Sequence, residues 1–404
     1  MQNKLLDIFL AQRKISTDSR KIEEGAIFFA LSGENFDGNS FARAALDKGA
    51  SYAVISNPAL TGERYIYVKD CLVALQQLAC DYRKYLVLKI IALTGSNGKT
   101  TTKEFLLRTL STKFQCLATC GNLNNHIGVP LTLLSFDEST QVGIVEMGAN
   151  HQREIELLCS IAQPDIGLIT NVGIAHLEGF GSAEGVRKGK GELFDYLLKS
   201  GGVAIYNSKD ETLRNMVASR EGLRAVGYDP ERELLELSIY GTYNQLNAQA
   251  ALAVGRYLGC DDGAVKEALK GYIADNNRSQ VVDTGRNRLI MDAYNANPSS
   301  MRAAITNFAN SAEFSDKVLI LGDMRELGDY SKEEHEKIVE LIANYQFDNV
   351  LLVGENFSAL QSHFLSFLNA SLVLDYLSNN QLDNKIILIK GSRGIALEQI
   401  AELL

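Results

Sequence analysis

"KIIALTGSNGKTTTKEFL", residues 89–106, reads as an apolar strand, a glycine turn and the start of a helix carrying three threonines in a row. The phosphate-binding pattern G-x-x-x-x-G-K-[ST] asks for a glycine five places before the one preceding the lysine. That place holds Leu93. What a phosphate requires is inward-pointing backbone N–H groups, a helix N-terminus behind them and a cation. Gly95 and Gly98 allow the tight path, with Ser96 and Asn97 between them. Lys99 brings charge, Thr100 places a hydroxyl where Mg²⁺ would sit, and Thr101 continues into the helix. The bland alternative is an ordinary strand-to-helix turn with a solvated lysine. The stretch alone separates the two readings only weakly.

On either side, short apolar runs alternate with helical patterns. "GAIFFAL", "YAVIS" and "RYIYVKD" read as strands in the first part, with helices at "SFARAALDKGA" and "CLVALQQLACDYRKYL". "VLKIIALTG", "QVGIVEMGA", "DIGLITNVG" and "GGVAIYN" form a second set, and "RLIMDAY", "KVLILGDM", "NVLLVG" and "KIILIKG" a third. Such alternation predicts parallel sheets covered by helices on both faces. The expected division is 1–85, 86–276 and 277–404, the second boundary falling in the polar "ADNNRSQ". A length of 404 residues exceeds what one core ordinarily serves.

A net charge of -9 argues against a nucleic-acid partner, whose footprint is basic. It leaves room for an anionic small substrate, which needs only a few local cations. The six cysteines stand at no metal or disulfide spacing and read as reduced thiols. No apolar run approaches the ~20 residues of a membrane span, and the N-terminus is interrupted by Lys4 and Asp7. A cytoplasmic protein without membrane insertion is expected.

Parallel α/β sheets bind ligands beyond the carboxyl ends of their strands. Glu146 ends one apolar run, and Asn171 and His176 follow another. Each alone is an ordinary surface residue; with Lys99 and Thr100 they would share one crevice. In "EGVRKGKGELFDYL", Arg187, Lys188 and Lys190 read as the start of a helix, where the dipole favours anions. They are either solvated and paired with Glu184 and Glu192, or one lysine is chemically converted to an anion.

Taken together, "TGSNGKTT" (94–101), "NLNNHIGVPLTLL" (122–134), "VEMGANH" (145–151), "NVGIAHLEGFGS" (171–182), "KGKGELF" (188–194), "DAYNANPSSM" (292–301), "LGDMRELG" (321–328) and "KGSRG" (390–394) resemble the Mur ligases over all three parts. The order of "EMGANH", "AHLEGFGS" and "DAYNANPSSM" points to the branch of that family that joins D-alanyl-D-alanine to UDP-N-acetylmuramoyl-tripeptide. The resemblance implies a small N-terminal α/β domain, a central phosphate-loop domain with a mostly parallel sheet, and a Rossmann-like C-terminal domain. It implies ATP and Mg²⁺ as cofactors; a monomer is expected, though nothing in the sequence addresses oligomeric state.

By the same resemblance, Gly95, Ser96, Asn97, Gly98, Lys99, Thr100 and Thr101 would hold the ATP phosphates, with Asn244, Asn247 and Asp292 around the nucleoside. Arg278 would reach the phosphates from the third domain. Glu146, His176 and a carbamylated Lys190 would join Thr100 as Mg²⁺ ligands. Ser19 and Arg20, in "STDSR", would contact the uridine nucleotide sugar, and Asn125, Asn295 and Asn297 would be further substrate contacts. Asn39 and Tyr243 stand where the family usually has histidine, and Arg153 where glycine is common. Two rivals remain: a folylpolyglutamate synthase-like ligase with the same loop, and a non-catalytic nucleotide-binding scaffold.

Overall fold

The computed structural model describes residues 2–173, 177–312 and 316–404. In the first domain, β1 (Ile15–Ser16), β2 (Ile27–Phe29), β3 (Tyr52–Ile55) and β4 (Tyr65–Tyr67) form a parallel sheet in that order. The central domain carries six parallel strands: β5 (Lys89–Thr94), β6 (Cys116–Ala118), β7 (Val142–Glu146), β8 (Ile166–Ile169), β9 (Val203–Asn207) and β10 (Arg224–Tyr228). Their order is β10-β9-β8-β5-β7-β6. The third domain has β11 (Gln280–Asp283), β12 (Arg288–Asp292), β13 (Lys317–Gly322), β14 (Asn349–Val353), β15 (Leu365–Phe367) and β16 (Ile386–Lys390), ordered β11-β12-β16-β13-β14-β15. Its sheet is parallel except for β11, an antiparallel edge.

The order of the central sheet positions the site. The chain winds to one side of β5 through β7 and β6, and to the other through β8, β9 and β10. The carboxyl end of β5 therefore sits where the winding reverses, and a crevice opens there between the loops that leave β5, β7 and β8. Leu93 pairs with Glu146 on one side and Leu168 on the other. It is fully buried inside β5, so the strand, not the loop, occupies the place of the absent glycine.

One apolar core runs from the first sheet, through Leu75, Leu78 and Tyr82 of the helix Cys71–Tyr85, to Ile90 and Val145 of the central sheet. Tyr82 is sealed there: its hydroxyl donates to the Phe136 carbonyl at 2.8 Å, and Arg13 bonds both to it and to Glu138. The opposite face of the central sheet has its own core around Phe105, Leu252 and Val265. The third domain packs its sheet faces into two further clusters. The first two domains thus share buried surface, whereas the third meets the central one through side-chain hydrogen bonds at the crevice, through Tyr240 packed against its core, and through Glu178 N, which donates to the Glu326 carbonyl at 3.5 Å.

Candidate active site

Gly95 and Gly98 both adopt positive φ, +147° and +77°. A Cβ on Gly95 would lie 2.0 Å from the Thr170 hydroxyl, and one on Gly98 2.3 Å from Asn247 Oδ1. Both positions therefore require glycine, for backbone path and for space. Gly98 caps the helix Lys99–Leu110, leaving the orphan N–H groups of its first turn directed at the crevice. Asn171 fixes the turn between: its Oδ1 accepts from Asn97 N at 3.0 Å and its Nδ2 donates to Asn97 O at 3.0 Å. Ser96 exchanges hydrogen bonds with both backbone groups of Gly173. Lys99 Nζ folds back onto Gly95 O at 2.7 Å.

This loop forms the floor of a cavity of about 910 Å³ between the central and third domains. Its wall includes Thr100, Asn125 and Glu146, and from the other side Arg278, Asp292, Asn295 and Asn297. Asn97 Oδ1 accepts from Asn297 Nδ2 at 2.7 Å, and Asn97 Nδ2 donates to Ser299 Oγ at 2.8 Å, so the loop itself contacts the third domain. Asn297 also caps the helix Pro298–Asn310. Arg278 stacks on the Tyr294 ring, 3.9 Å from its centroid. Asp292 accepts from Lys390 Nζ at 2.7 Å.

Asn244 and Asn247 are buried beneath the loop rather than spread along its rim. Asn247 Nδ2 donates to Asn244 Oδ1 at 2.9 Å, and Asn247 Oδ1 accepts from the Thr102 hydroxyl at 3.2 Å. Asn125 Oδ1 is used by its own turn, accepting from Gly128 N at 2.9 Å. The Asn295 carbonyl receives a second bond from Lys390, at 3.2 Å. Ser19 and Arg20 lie elsewhere, beyond β1. There Arg20 grips Asp18 with two bonds of 2.9 Å, and the Ser19 carbonyl accepts from Lys48. His176 lies outside the described residues.

Glu146 is 2 % exposed. Its Oε1 accepts from Asn124 Nδ2 at 2.8 Å, while Oε2 is buried with no hydrogen-bond partner among the described residues. An ionised oxygen left so is costly unless a cation meets it. This orphan, with the Thr100 hydroxyl on the same cavity wall, fits a hard divalent cation that takes few protein ligands and completes its shell from phosphate and water. Among the described residues no three His, Cys, Asp or Glu side chains gather as a self-sufficient metal cage.

Lys190 corrects one expectation. The helix that carries it runs from Ala183 to Ser200, capped by Ser182, so Lys190 sits about two turns inside and not at its start. Arg187 and Lys188 are exposed, and Arg187 pairs with Glu184 at 2.7 Å, the solvated reading for that residue. Lys190 is 1 % exposed and donates to Ala149 O at 3.1 Å. Burial, and then repulsion from Lys99, hold its amine well below the usual lysine range. The neighbours in sequence are not the cause. Lys99 is itself lowered by burial, with Arg278 adding to the fall and Glu146 opposing it.

The three family departures acquire structural accounts. Asn39 Oδ1 accepts from Ser56 N and Asn57 N, while its Nδ2 donates to Asp37 and Ser56. A histidine, with one donor and one acceptor when neutral, could not make that set. Tyr243 is packed at the entry to the third domain with its hydroxyl 2.7 Å from Ser279 Oγ. Arg153 has φ +71°, the left-handed region where glycine costs nothing. Lys390 and Tyr294 were not assigned roles from sequence. The cue for Lys390 is a lysine at the carboxyl end of the buried run "KIILIK".

Comparison with known proteins agrees with this geometry. Residues 13–83 match the Mur ligase family catalytic domain, 93–234 the Mur ligase middle domain, and 277–393 the Mur ligase glutamate ligase domain. The chain is 34% identical to UDP-N-acetylmuramoyl-tripeptide--D-alanyl-D-alanine ligase of Bacillus subtilis (strain 168), over 96% of this chain and 92% of that one. The structure resembles MurF from Acinetobacter baumannii with a TM-score of 0.87 and 33% identity, covering 96% of this chain and 93% of that one. It resembles MurF ligase from Thermotoga maritima in complex with ADP with a TM-score of 0.86 and 26% identity, covering 98% and 97%. With 96% of its length matched in sequence and in fold, the chain belongs to the Mur ligase family.

Proposed function

We propose that the chain is an ATP-dependent amide ligase that joins D-alanyl-D-alanine to UDP-N-acetylmuramoyl-tripeptide in peptidoglycan precursor synthesis. The relatives that carry this activity in their names span nearly the whole chain. The observation that carries the chemistry is the meeting of a helix-backed glycine loop, Lys99, a Glu146 oxygen without a hydrogen-bond partner among the described residues, and Arg278 around one cavity.

In this reading the tripeptide's terminal carboxylate attacks the γ-phosphorus of ATP, giving an acyl phosphate and ADP. The dipeptide amine then attacks the acyl carbon and inorganic phosphate departs. Two anions must meet in the first step, so the protein's task is charge neutralisation and alignment. The loop amides and Lys99, released from Gly95 O, would take the γ-phosphate, and Arg278 would approach it from the third domain. Asn244 and Asn247 support the floor of the nucleotide site, and Asp292 with Lys390 forms its far wall. Asn125, Asn295 and Asn297 border the space left for the tripeptide and dipeptide, while Ser19 and Arg20 hold the uridine end on the first domain.

Thr100 and Glu146 would hold Mg²⁺, which when bound neutralises phosphate oxygens. Lys190 suits carbamylation because a buried amine of lowered pKa is the neutral form that reacts with CO₂. We place domain boundaries at 85/86 and 276/277 and the protein, as a monomer, in the cytoplasm; free cysteines accord with that compartment. ADP release measured with UDP-N-acetylmuramoyl-tripeptide, with and without D-alanyl-D-alanine, tests the reading. Release that depends on both is expected. Release driven instead by a folate and glutamate supports the first rival, and none with any acceptor supports the scaffold.

A further inference from the structure

The segment "DNNRSQ", residues 275–280, carries the chain from the central domain into the third. Asn277 and Ser279 have φ +55° and +52°, so Arg278 is flanked on both sides by left-handed conformations. Asparagine visits that region readily, whereas a buried serine stays there only when its surroundings impose it. Asn277 N donates to Gln280 Oε1 at 3.1 Å, and Ser279 N to Asp292 Oδ1 at 3.4 Å. Both of these restraints close within the third domain. A third crosses to the central one: the hydroxyl oxygens of Tyr243 and Ser279 lie 2.7 Å apart. Tyr243 opens the helix Tyr243–Tyr257, whose first turn also carries Asn244 and Asn247 under the phosphate loop. Its ring lies against Gly241, where a Cβ would come within 2.6 Å of the ring's Cζ. Burial, and then the charge of Asp292, push the phenol above its ordinary range, so it keeps its proton near neutral pH. Arg278 lines the cavity and stacks on Tyr294, and its charge helps to lower the Lys99 amine across from it.

We propose that Tyr243 is a positioning residue for Arg278: through Ser279, its hydroxyl holds the bent linker in the conformation that keeps the guanidinium at the phosphate side of the cavity. The inference rests on the functional reading above, in which Arg278 approaches the γ-phosphate. A return of Ser279 to an ordinary backbone conformation would redirect the residue before it. A cation that stabilises developing charge loses much of its effect when displaced by a fraction of its own size. The helix that supports the nucleotide floor would thus also set the place of the arginine supplied by the next domain.

The test uses the full chain with UDP-N-acetylmuramoyl-tripeptide, D-alanyl-D-alanine and ATP. Tyr243→Phe keeps the ring and removes the hydroxyl. Loss of that one hydrogen bond should lower kcat about 3- to 10-fold, and Ser279→Ala should do the same. Since both act through Arg278, Tyr243→Phe should change the residual kcat of Arg278→Ala by less than about twofold. An undiminished loss in that background, or no loss in the parent background, overturns the proposal. In the ligand-free protein, amide exchange over residues 276–280 should quicken in Tyr243→Phe, and unchanged exchange overturns the proposal as well. If Arg278→Ala ligates as fast as the parent while exchange in Tyr243→Phe still quickens, it is the functional reading of Arg278 that fails, and the positioning role falls with it.

Discussion

Replacing Arg153 by glycine should stabilise the protein, although it removes a charged side chain from a helix start. Arg153 sits at φ +71° as the cap of the helix Glu154–Ala162. A left-handed L-residue costs roughly 1–2 kcal/mol, and glycine removes that term. Against it stands the greater freedom of glycine in the unfolded chain, roughly 0.5–1 kcal/mol. The side chain pairs with Glu156, 3.5 Å away, and the two side chains are 87% and 54% exposed. Such a pair contributes roughly 0–0.5 kcal/mol. The strong contact at this position is made by the backbone: Arg153 N donates to Glu192 Oε1 at 2.5 Å, which any residue retains. The balance favours Arg153→Gly by about 0.5 kcal/mol. Arg153→Ala loses the ion pair but keeps the strain, so glycine should exceed alanine by about 0.5–1 kcal/mol. In a domain of some 150–250 residues that difference is about 1–4 °C in melting temperature. Scanning calorimetry of the two variants side by side measures it. A glycine variant melting at or below the alanine variant would falsify the strain argument.

Lys99→Ala should lower ligation about 10²- to 10⁴-fold by ADP release while leaving the circular dichroism spectrum unchanged, since among the described residues the lysine bonds its own loop carbonyls. Lys190 makes stability depend on pH. Its folded-state pKa lies well below the unfolded value of about 10.4, so between the two the unfolded chain binds the extra proton and stability rises with pH. In CO₂-free buffer Lys190→Met should flatten that rise in urea titrations from neutral to pH 10, and a slope equal to the parent's would refute the assignment. In labelled bicarbonate the parent should show a ¹³C carbamate resonance that this variant lacks. Asn297→Ala removes both a helix cap and the bond to Asn97, and should cost about 1 kcal/mol in thermal unfolding.

The apolar runs foretold the inner strands of the two larger sheets, because β5, β7, β8, β13, β14 and β16 are buried on both faces and read as continuous hydrophobic segments. The strands that escaped notice are edges or very short. Cys116–Ala118 and Leu365–Phe367 have three residues each, Arg224–Tyr228 is mostly exposed, and Gln280–Asp283 runs antiparallel beside a polar linker. Such strands gain pairing from the neighbour and need no apolar signature. At the site, the loop and Glu146 were readable because strand ends carry ligands. The depth of Lys190 was not: a lysine in "VRKGKGEL" looks solvated until Gly189 and Gly191 are seen to let the helix approach Phe180 and Arg220. For Lys390 local sequence announces a lysine at a strand end, but not its pairing with Asp292, which lies far away in the chain.

The burial of Leu93 bears on how such loops are recognised by pattern and on attempts to regularise them. Writing glycine at position 93 would bring the chain into agreement with the common phosphate-loop signature. It would also empty a fully buried site in β5, beside Glu146, whose Oε2 has no hydrogen-bond partner among the described residues, and Met147 N bonds the Leu93 carbonyl at 2.8 Å. Removing a buried leucine side chain costs about 2–5 kcal/mol, with a further penalty for glycine's freedom in a strand. The loosened strand would carry Glu146 with it. A sequence search would rank the altered chain as the better nucleotide binder, while the molecule would have lost the register that brings a carboxylate to the nucleotide.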